Sequence, residues 1–506
     1  MYRIISASND TYITDKIINN RYRATDANVG QAGTLDLFKL YNESTLSGEE
    51  KPVELSRILI KFDYSSISQM FNEGKIDISD ASFKTQIKLH DVYGGQTTPS
   101  NFKCIVFPLA KSFDEGAGYD IGNFSDLDAT NFVTASYSNS TINKWSLPGA
   151  MKSGSLTDIA TIDVMTSGTL DASLGSESLC FEQYFKTGEE DLEIDVTKIV
   201  SASIKSLIPN KGFLVAFSGS YEKDQKSYFV KRFASRNSAK TGIRPKLIVS
   251  FDDSINDNHQ NFVFDYTGSL YLSNQVRGEL KNAKSGPAKL DTAAGENCMI
   301  LKISTGSFQK TFSVSQAMRG ENRIEGLYSS SFAISSFGSL SDHIQTSGSI
   351  TFDEVWSSSD EAVTFLSSSF AIKKNNISQI NLSQTSYHVK AINLNDRYMR
   401  SEIARIRVFI ESKDREVAYT KKPFNKKSQV YEKMYFRVRD TVSGDIIIPF
   451  KNQNNSTKLS SDSNGMYYDF YMDSLPSGKT YIFDYLIEIN GYDNVITDAA
   501  SKFIVV

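Results

Sequence analysis

Cysteine, histidine, tryptophan and proline are all scarce in this chain. Its three cysteines in 506 residues, Cys104, Cys180 and Cys298, lie far apart with no paired spacing. That excludes a disulfide-stapled scaffold and points to buried thiols assembled in a reducing cytoplasm. The four histidines, His90, His259, His343 and His388, include no two at metal-ligand spacing, and neither C-x-x-C nor H-x-x-x-H occurs. There is no G-x-S-x-G elbow, no Walker loop and no Rossmann fingerprint. The expectation is therefore a non-enzymatic protein with no metal and no cofactor. No apolar run approaches the roughly 18 residues of a membrane-spanning helix. The opening MYRIISASNDTYITDK lacks the basic-then-apolar order of a secretory leader. We expect a soluble protein made in a cytoplasm, which counts against an exported glycan-degrading enzyme.

What the chain has in quantity is aromatic and β-branched residues. Thirty-two Phe and 25 Tyr, beside only ten Pro, describe a packed protein and not a disordered one. The 55 basic and 59 acidic residues, net charge −4, are interspersed. No basic stripe tracks a phosphate backbone, so neither nucleic acid nor membrane is an expected partner. Helical periodicity is rare and short alternating runs are common. The fold class is mainly β, with tandem β-sandwich domains of jelly-roll or immunoglobulin-like kind, and the length suits about three of them.

Residues 1–253 read as the first domain. LDLFKLY follows a polar turn at Asn28 and Gly30. Glu54–Ile67 reads as one strand, with Ile58, Ile60 and Phe62 alternating against Arg57, Leu59 and Lys61, and SFKTQIKLHDVY reads as another. Thr197 to Leu207 is the expected helix, the only regular one of the domain, with Thr197 as N-cap. Asn210-Lys211-Gly212 ends it before GFLVAFS, and SYFVKRFAS and RPKLIVSF close the sandwich. The polar run Asp252 to Asn258 is a boundary. Residues 254–388 carry short strands punctuated by Ser and Gly, a second sandwich in which SSSFAI occurs at Ser329–Ile334 and again at Ser367–Ile372. Residues 389–506, with the alternating Ala404–Ile410, a hairpin at Ser443-Gly444 and a turn from Ser461 to Gly465, read as an immunoglobulin-like third domain.

Paired carboxylates for glycoside hydrolysis have two candidate runs, Asp114-Glu115 and Glu189-Glu190-Asp191. Adjacent residues do not face one cleft from opposite sides, so both runs read as loop charges. Oxygen ligands for calcium are on offer in SFDEGAGYD, in DDSINDN and around Asp462, but none follows the EF-hand order, and linker polarity explains them. Trp145 and Trp356 are the only tryptophans. An exposed indole suits stacking on a sugar ring, whereas one tryptophan per sandwich more simply anchors a core or loop.

Several short motifs are more particular than the alternation. They are Arg57-x-Leu59-x-Lys61-Phe62-Asp63, Asp114-Glu115-Gly116-x-Gly118, Trp145 with Pro148-Gly149, Asp195-Val196-Thr197, Ser235-Arg236 and Arg244-Pro245-x-Leu247. Together they resemble the DNRLRE-type β-sandwich domains carried by structural proteins of large tailed bacteriophages, over roughly half the chain. The opening of residues 389–506 also looks like C-terminal modules of such proteins. The resemblance implies a virion structural protein of tail, baseplate or neck, made in the host cytoplasm, present in multiple copies and partnered by other virion proteins. DNRLRE-like domains also occur beside polysaccharide enzymes and in surface proteins. The alternative it implies is a carbohydrate-binding adhesin module, with a host glycan over Tyr119, Phe124 or Trp145.

Overall fold

The computed structural model describes every residue except 93–98, 126–127, 174, 286–290, 339, 375–385, 414–426 and 490, with the side chains of 285, 291, 292, 499 and 500 also set aside. Tyr93, at the end of the strand expected from Ser82 onward, lies outside the described residues. Strands dominate, in largely antiparallel sheets, so the chain is a mainly β protein of tandem sandwiches. It forms two compact units: Arg3–Gln69 with Phe83–Ser250, and Met1–Tyr2 with Met70–Ser82 and Phe251–Val506. Residues 254–388 and 389–506 both fall in the second unit, where they carry separate sheets.

The first unit, here the N-terminal unit, is built on ten strands. Eight run in the order Phe181–Phe185, Phe102–Pro108, Phe213–Phe217, Val53–Phe62, Tyr2–Thr14, Lys246–Ser250, Lys84–Leu89, Leu192–Asp195. Thr34–Tyr41 branches from Val53–Phe62 and pairs with Tyr228–Ala234. The register places Tyr12 opposite Ile58 and Leu214 between Leu59 and Phe107.

Two expectations are corrected here. The strand read as Glu54–Ile67 ends at Phe62. Asp63 then accepts the Ser65 N–H on Oδ1 at 3.0 Å and turns the chain into the helix Ser65–Asn72. Alternation implies one covered face, yet every residue from Glu54 to Ile60 is buried. The excursion between Pro108 and Val164 supplies the second cover: Leu109, Phe113, Ala135, Trp145 and Val164 pack with Ile13, Leu59, Leu214 and Ala216 in one cluster.

The helix expected to reach Leu207 spans Thr197–Ile204. Thr197 is its first residue and not its cap: its own N–H is accepted by Asp195 Oδ1, and its Oγ1 accepts the Thr85 N–H, both at 2.8 Å. It is not the only helix, since Ser65–Asn72 and Gly219–Lys223 are helical as well. Gly212, at φ +105, restarts the chain as a strand where a Cβ would meet Ile60 O at 2.7 Å.

In the second, C-terminal unit, residues 254–388 form a six-stranded sheet ordered Gly268–Ser273, Asn322–Phe332, Phe308–Arg319, Met299–Thr305, Ser349–Ser358, Thr364–Lys373. Phe308–Arg319 serves two layers. Its residues 308–314 pair with Met299–Thr305, and its residues 315–319 pair with Asn322–Phe332 across a register shift. The first SSSFAI copy ends the strand Asn322–Phe332 and runs two residues past it, the second lies within Thr364–Lys373, and both pack into one core. Phe332 and Phe370 stand 5.0 and 5.8 Å from the Phe262 ring, and Ile334 and Ile372 are both buried in that core.

Residues 389–506 make a four-stranded and a five-stranded sheet. The first is Tyr387–Ala391, Ile403–Ser412, Gly465–Tyr471, Ser460–Asp462, and the second is Arg397–Tyr398, Tyr492–Val505, Lys479–Ile489, Met434–Asp440, Ile446–Ile448. Phe436 stacks on Tyr468 across the two sheets at 4.4 Å, and Phe483 stacks on Phe503 within the second at 4.9 Å. Such offset aromatic pairs add to the area they bury.

Candidate functional site: the 114–131 loop and its buried anchor

The motif residues of the N-terminal unit converge, and they converge on a loop. Asn28 is buried and fully used. Its Nδ2 donates to Glu115 O at 2.9 Å and to Thr130 O at 2.8 Å, joining both ends of the loop. Its Oδ1 accepts the Gly118 N–H at 2.8 Å and the Gly30 N–H at 3.2 Å. Backbone approaches backbone so closely here that a Cβ on Gly30 would lie 1.9 Å from Glu115 O, and one on Gly118 would lie 1.9 Å from Asn28 O. Only glycine fits either place.

Glu115 is buried and receives three donors: the Asp10 N–H at 2.8 Å on Oε1, Arg236 Nε on the same oxygen, and Arg236 Nη2 on Oε2. This is the fork geometry that makes arginine–carboxylate pairs strong. Asp10 accepts the Arg236 backbone N–H at 2.6 Å on Oδ2, while its Oδ1 is buried without a partner. Burial pushes the Asp10 carboxyl up to about 7, against the Arg236 N–H and with the negative charge of Glu115 adding to the rise. Ser235 Oγ donates to Ala32 O and Asn237 Nδ2 to Gly30 O, so the Ser-Arg-Asn run clamps the 28–33 turn from the other side.

Arg57 works in the same way on the 145–150 turn. Its Nη1 donates to Gly149 O and Ala150 O, both at 3.0 Å, while Nε and Nη2 grip Glu222 at 2.9 and 2.6 Å. Asp163, buried, accepts the N–H groups of Ser146, Leu147 and Lys152. Arg244 Nε donates to Ser238 O at 2.9 Å. The motif side chains are thus spent on backbone carbonyls and on each other, as buried polar groups must be.

Trp145 belongs to this framework, and its assignment as a glycan contact is corrected. It is 4 % exposed, its ring lies in the Leu59–Leu109–Val164 cluster, and its Nε1 donates to Asn131 O at 3.0 Å. No face is left for a sugar. Tyr119 and Phe124 are placed differently. They are 62 % and 39 % exposed, their rings lie 5.6 Å apart at 59°, and they flank a turn pinned by Asp120, whose Oδ1 accepts the Gly122 and Asn123 N–H groups.

No family model and no curated protein matches the chain. Among solved structures, the fibronectin(III)-like modules of Clostridium thermocellum CbhA align at 9 % identity and TM-score 0.14, over 51 % of this chain and 93 % of theirs. Salmonella alpha-2-macroglobulin reacted with methylamine aligns at 10 % identity and TM-score 0.15, and native E. coli alpha-2-macroglobulin at 9 % and 0.12. This chain spans about a third of each macroglobulin, 34 % and 35 %. TM-scores this low assign nothing, and the fold described above rests on strand pairing alone.

The carboxylate runs weighed for hydrolysis or calcium are engaged by protein donors. Asp114 Oδ2 accepts the Tyr137 N–H at 2.6 Å, and Glu190 accepts those of Lys186, Thr187 and Gly188. Asp191 Oδ1 accepts the Asp91 N–H at 2.8 Å. Asp252 caps Ser254 and receives Asn455 Nδ2, and Asp462 is held by both Nη atoms of Arg407. Among the described residues no group of three or more His, Cys, Asp or Glu is disposed to hold a metal ion.

One cluster is invisible to sequence spacing. In the C-terminal unit His259 is buried between two carboxylates, with Nδ1 on Asp257 Oδ1 and Nε2 3.1 Å from Glu354 Oε2. Trp356 Nε1 donates to that same Glu354 oxygen at 3.2 Å, and Phe370 meets the imidazole edge-on at 5.9 Å. Burial opposes the imidazolium, but Asp257 and Glu354 outweigh it and raise His259 to about 10. Ser461 Oγ both accepts from Asp257 N and donates to Asp257 O, each at 3.0 Å. The cluster therefore fixes the Asp252–Asn258 linker to the strand Ser460–Asp462. The only hint in sequence is the short spacing Asp257-x-His259.

Proposed function

We propose that this chain is a non-enzymatic structural protein of a tailed bacteriophage virion, an architectural component of tail, baseplate or neck that acts through β-sandwich interfaces with other virion proteins. The observation that supports this reading is the use made of the motif residues. Arg57, Glu115 and Arg236, the most chemically capable side chains of the DNRLRE-like pattern, hold loops onto a sandwich, their polar atoms engaged by backbone groups and by ion-pair partners. A domain organised in this way is a scaffold whose function lies in its faces and edges. Strands at the ends of the sheet orders, such as Leu192–Asp195 and the ten-residue Thr364–Lys373, are the kind that a neighbouring subunit covers or extends by strand addition. Electron microscopy of intact source virions, labelled with an antibody against residues 1–253, tests the assignment. A regular cluster at tail, baseplate or neck supports it; unlabelled particles with label on the host surface reject it.

The second reading is a carbohydrate-binding adhesin, and it is favoured by one observation, the exposed Tyr119–Phe124 pair on a pinned turn. Paired aromatic faces suit the apolar C–H face of a pyranose. Loss of host-glycan retention in Tyr119→Ala/Phe124→Ala, with particle assembly intact, is the result that selects it.

A further inference from the structure

The C-terminal unit contains an open cavity of about 210 Å³ where the two modules of this unit and the Met70–Ser82 segment meet. This is room for a cluster of waters or one compact organic molecule. Leu327, Phe436 and Tyr467 contribute an apolar part of the wall, and the charged part is unbalanced. Both carboxylates that line it are already taken. Asp469 is gripped by Arg405 at 2.7 and 2.8 Å, and Asp253 is paired with the Met1 amine. Lys75 pairs with Glu73 at 2.7 Å.

Two lining cations have no carboxylate partner. Arg319 donates from Nη1 to Lys75 O at 2.6 Å and from Nη2 to Asp253 O at 3.2 Å, contacts that orient the guanidinium and leave its charge uncompensated. Lys458 has no side-chain partner among the described residues; only its backbone N–H is engaged, by Asn455 O. Ser456, which also lines the cavity, is 1 % exposed and its Oγ is buried without a hydrogen-bond partner. A buried hydroxyl without a partner is unfavourable, and nothing within the described protein relieves it.

We propose that this cavity binds a small organic oxyanion, a carboxylate or phosphate carried on a compact body, with Arg319 and Lys458 supplying the countercharge and Tyr467 and Leu327 the contact surface. Both lining carboxylates are paired and two lining cations are not, so the charge of the wall favours a ligand that brings negative oxygen. The assignment stands apart from the virion reading, since it depends on the cavity alone.

Isothermal titration of the full chain at low ionic strength tests it, with sodium glucuronate, inorganic phosphate and glucose as probes. Saturable binding of glucuronate or phosphate with Kd at or below about 1 mM, and none of glucose, is expected. Binding of glucuronate alone identifies an acidic sugar, and binding of phosphate alone a phosphorylated ligand. Lys458→Gln should weaken the bound probe by about tenfold while leaving the urea unfolding midpoint unchanged, because Nζ holds nothing in the fold. Because Arg319 also braces two carbonyls, Arg319→Lys, which retains the charge, accompanies it and should retain binding within about threefold. Absence of saturable heat with either anion, equal heat with glucose, or undiminished affinity in Lys458→Gln overturns the proposal.

Discussion

Arg236 grips Glu115 through two parallel hydrogen bonds, Nε to Oε1 at 2.5 Å and Nη2 to Oε2 at 2.6 Å, although 121 positions separate them in the chain. The pair closes the base of the 114–131 loop against the strand that begins at Tyr2. Arg236→Ala leaves the Glu115 carboxylate buried with only the Asp10 N–H, and removal of one partner from such a pair costs about 3 kcal/mol. Arg236→Lys keeps the charge but loses the fork, and should recover only part of that loss. Urea midpoints of the three proteins give the order directly: wild type, lysine variant, alanine variant.

Asp10 predicts a pH dependence. Its folded carboxyl titrates near 7, above the ordinary value of 3.8. Below about pH 4 it is protonated whether folded or not, and its contribution is whole. As pH rises toward about 7 the unfolded chain releases the proton and the folded chain keeps it, so stability falls, by at most about 1.4 kcal/mol per pH unit. Asp10→Asn removes this component. The wild type should therefore lose stability relative to the variant between about pH 4 and pH 7; parallel curves would show that Asp10 titrates normally.

The aromatic residues of the loop region separate cleanly. Trp145→Ala empties a core position and leaves Asn131 O without its donor, at a cost of about 3–5 kcal/mol. Tyr119→Ala and Phe124→Ala alter exposed rings and should change stability by no more than about 0.5 kcal/mol. Thermal melts of the three variants check the contrast. A Trp145→Ala protein as stable as wild type is incompatible with the packing described.

His259 carries a second pH test, at alkaline pH. Held at about 10 by Asp257 and Glu354, it contributes fully below about pH 6.5, its ordinary value. That contribution is lost as pH rises through about 10. The C-terminal unit should weaken between about pH 7 and pH 10. In His259→Gln it should start weaker, because two buried carboxylates lose their counter-ion, and should decline less over the same range.

The alternating runs were legible because a half-covered strand has period two, and strands such as Lys84–Leu89 and Ile403–Ser412 follow that period. Val53–Phe62 broke the rule for a reason outside itself: its second cover arrives from residues beyond Pro108, and no local pattern encodes a neighbour 50 positions away. Thr197 resembled a cap because threonine favours caps, but the residue that accepts its N–H is Asp195. The site was legible only in part. Its glycines, Asn28, Glu115 and Arg236 stood out as residue types, whereas their meeting depends on long-range closure. The His259 partners, 95 positions apart for Glu354, had no signal beyond Asp257. Trp145 and the Tyr119–Phe124 pair looked alike as aromatic loop residues, and only burial distinguishes them.

The strand Phe308–Arg319 has a mechanical consequence. Because one half is stitched to Met299–Thr305 and the other to Asn322–Phe332, tension entering either layer passes into the other along unbroken backbone. The layers cannot be peeled apart as two plates held only by side-chain contact. Separating them requires breaking a hydrogen-bonded seam, so a pulling force is met by main-chain bonds as well as by side-chain contacts.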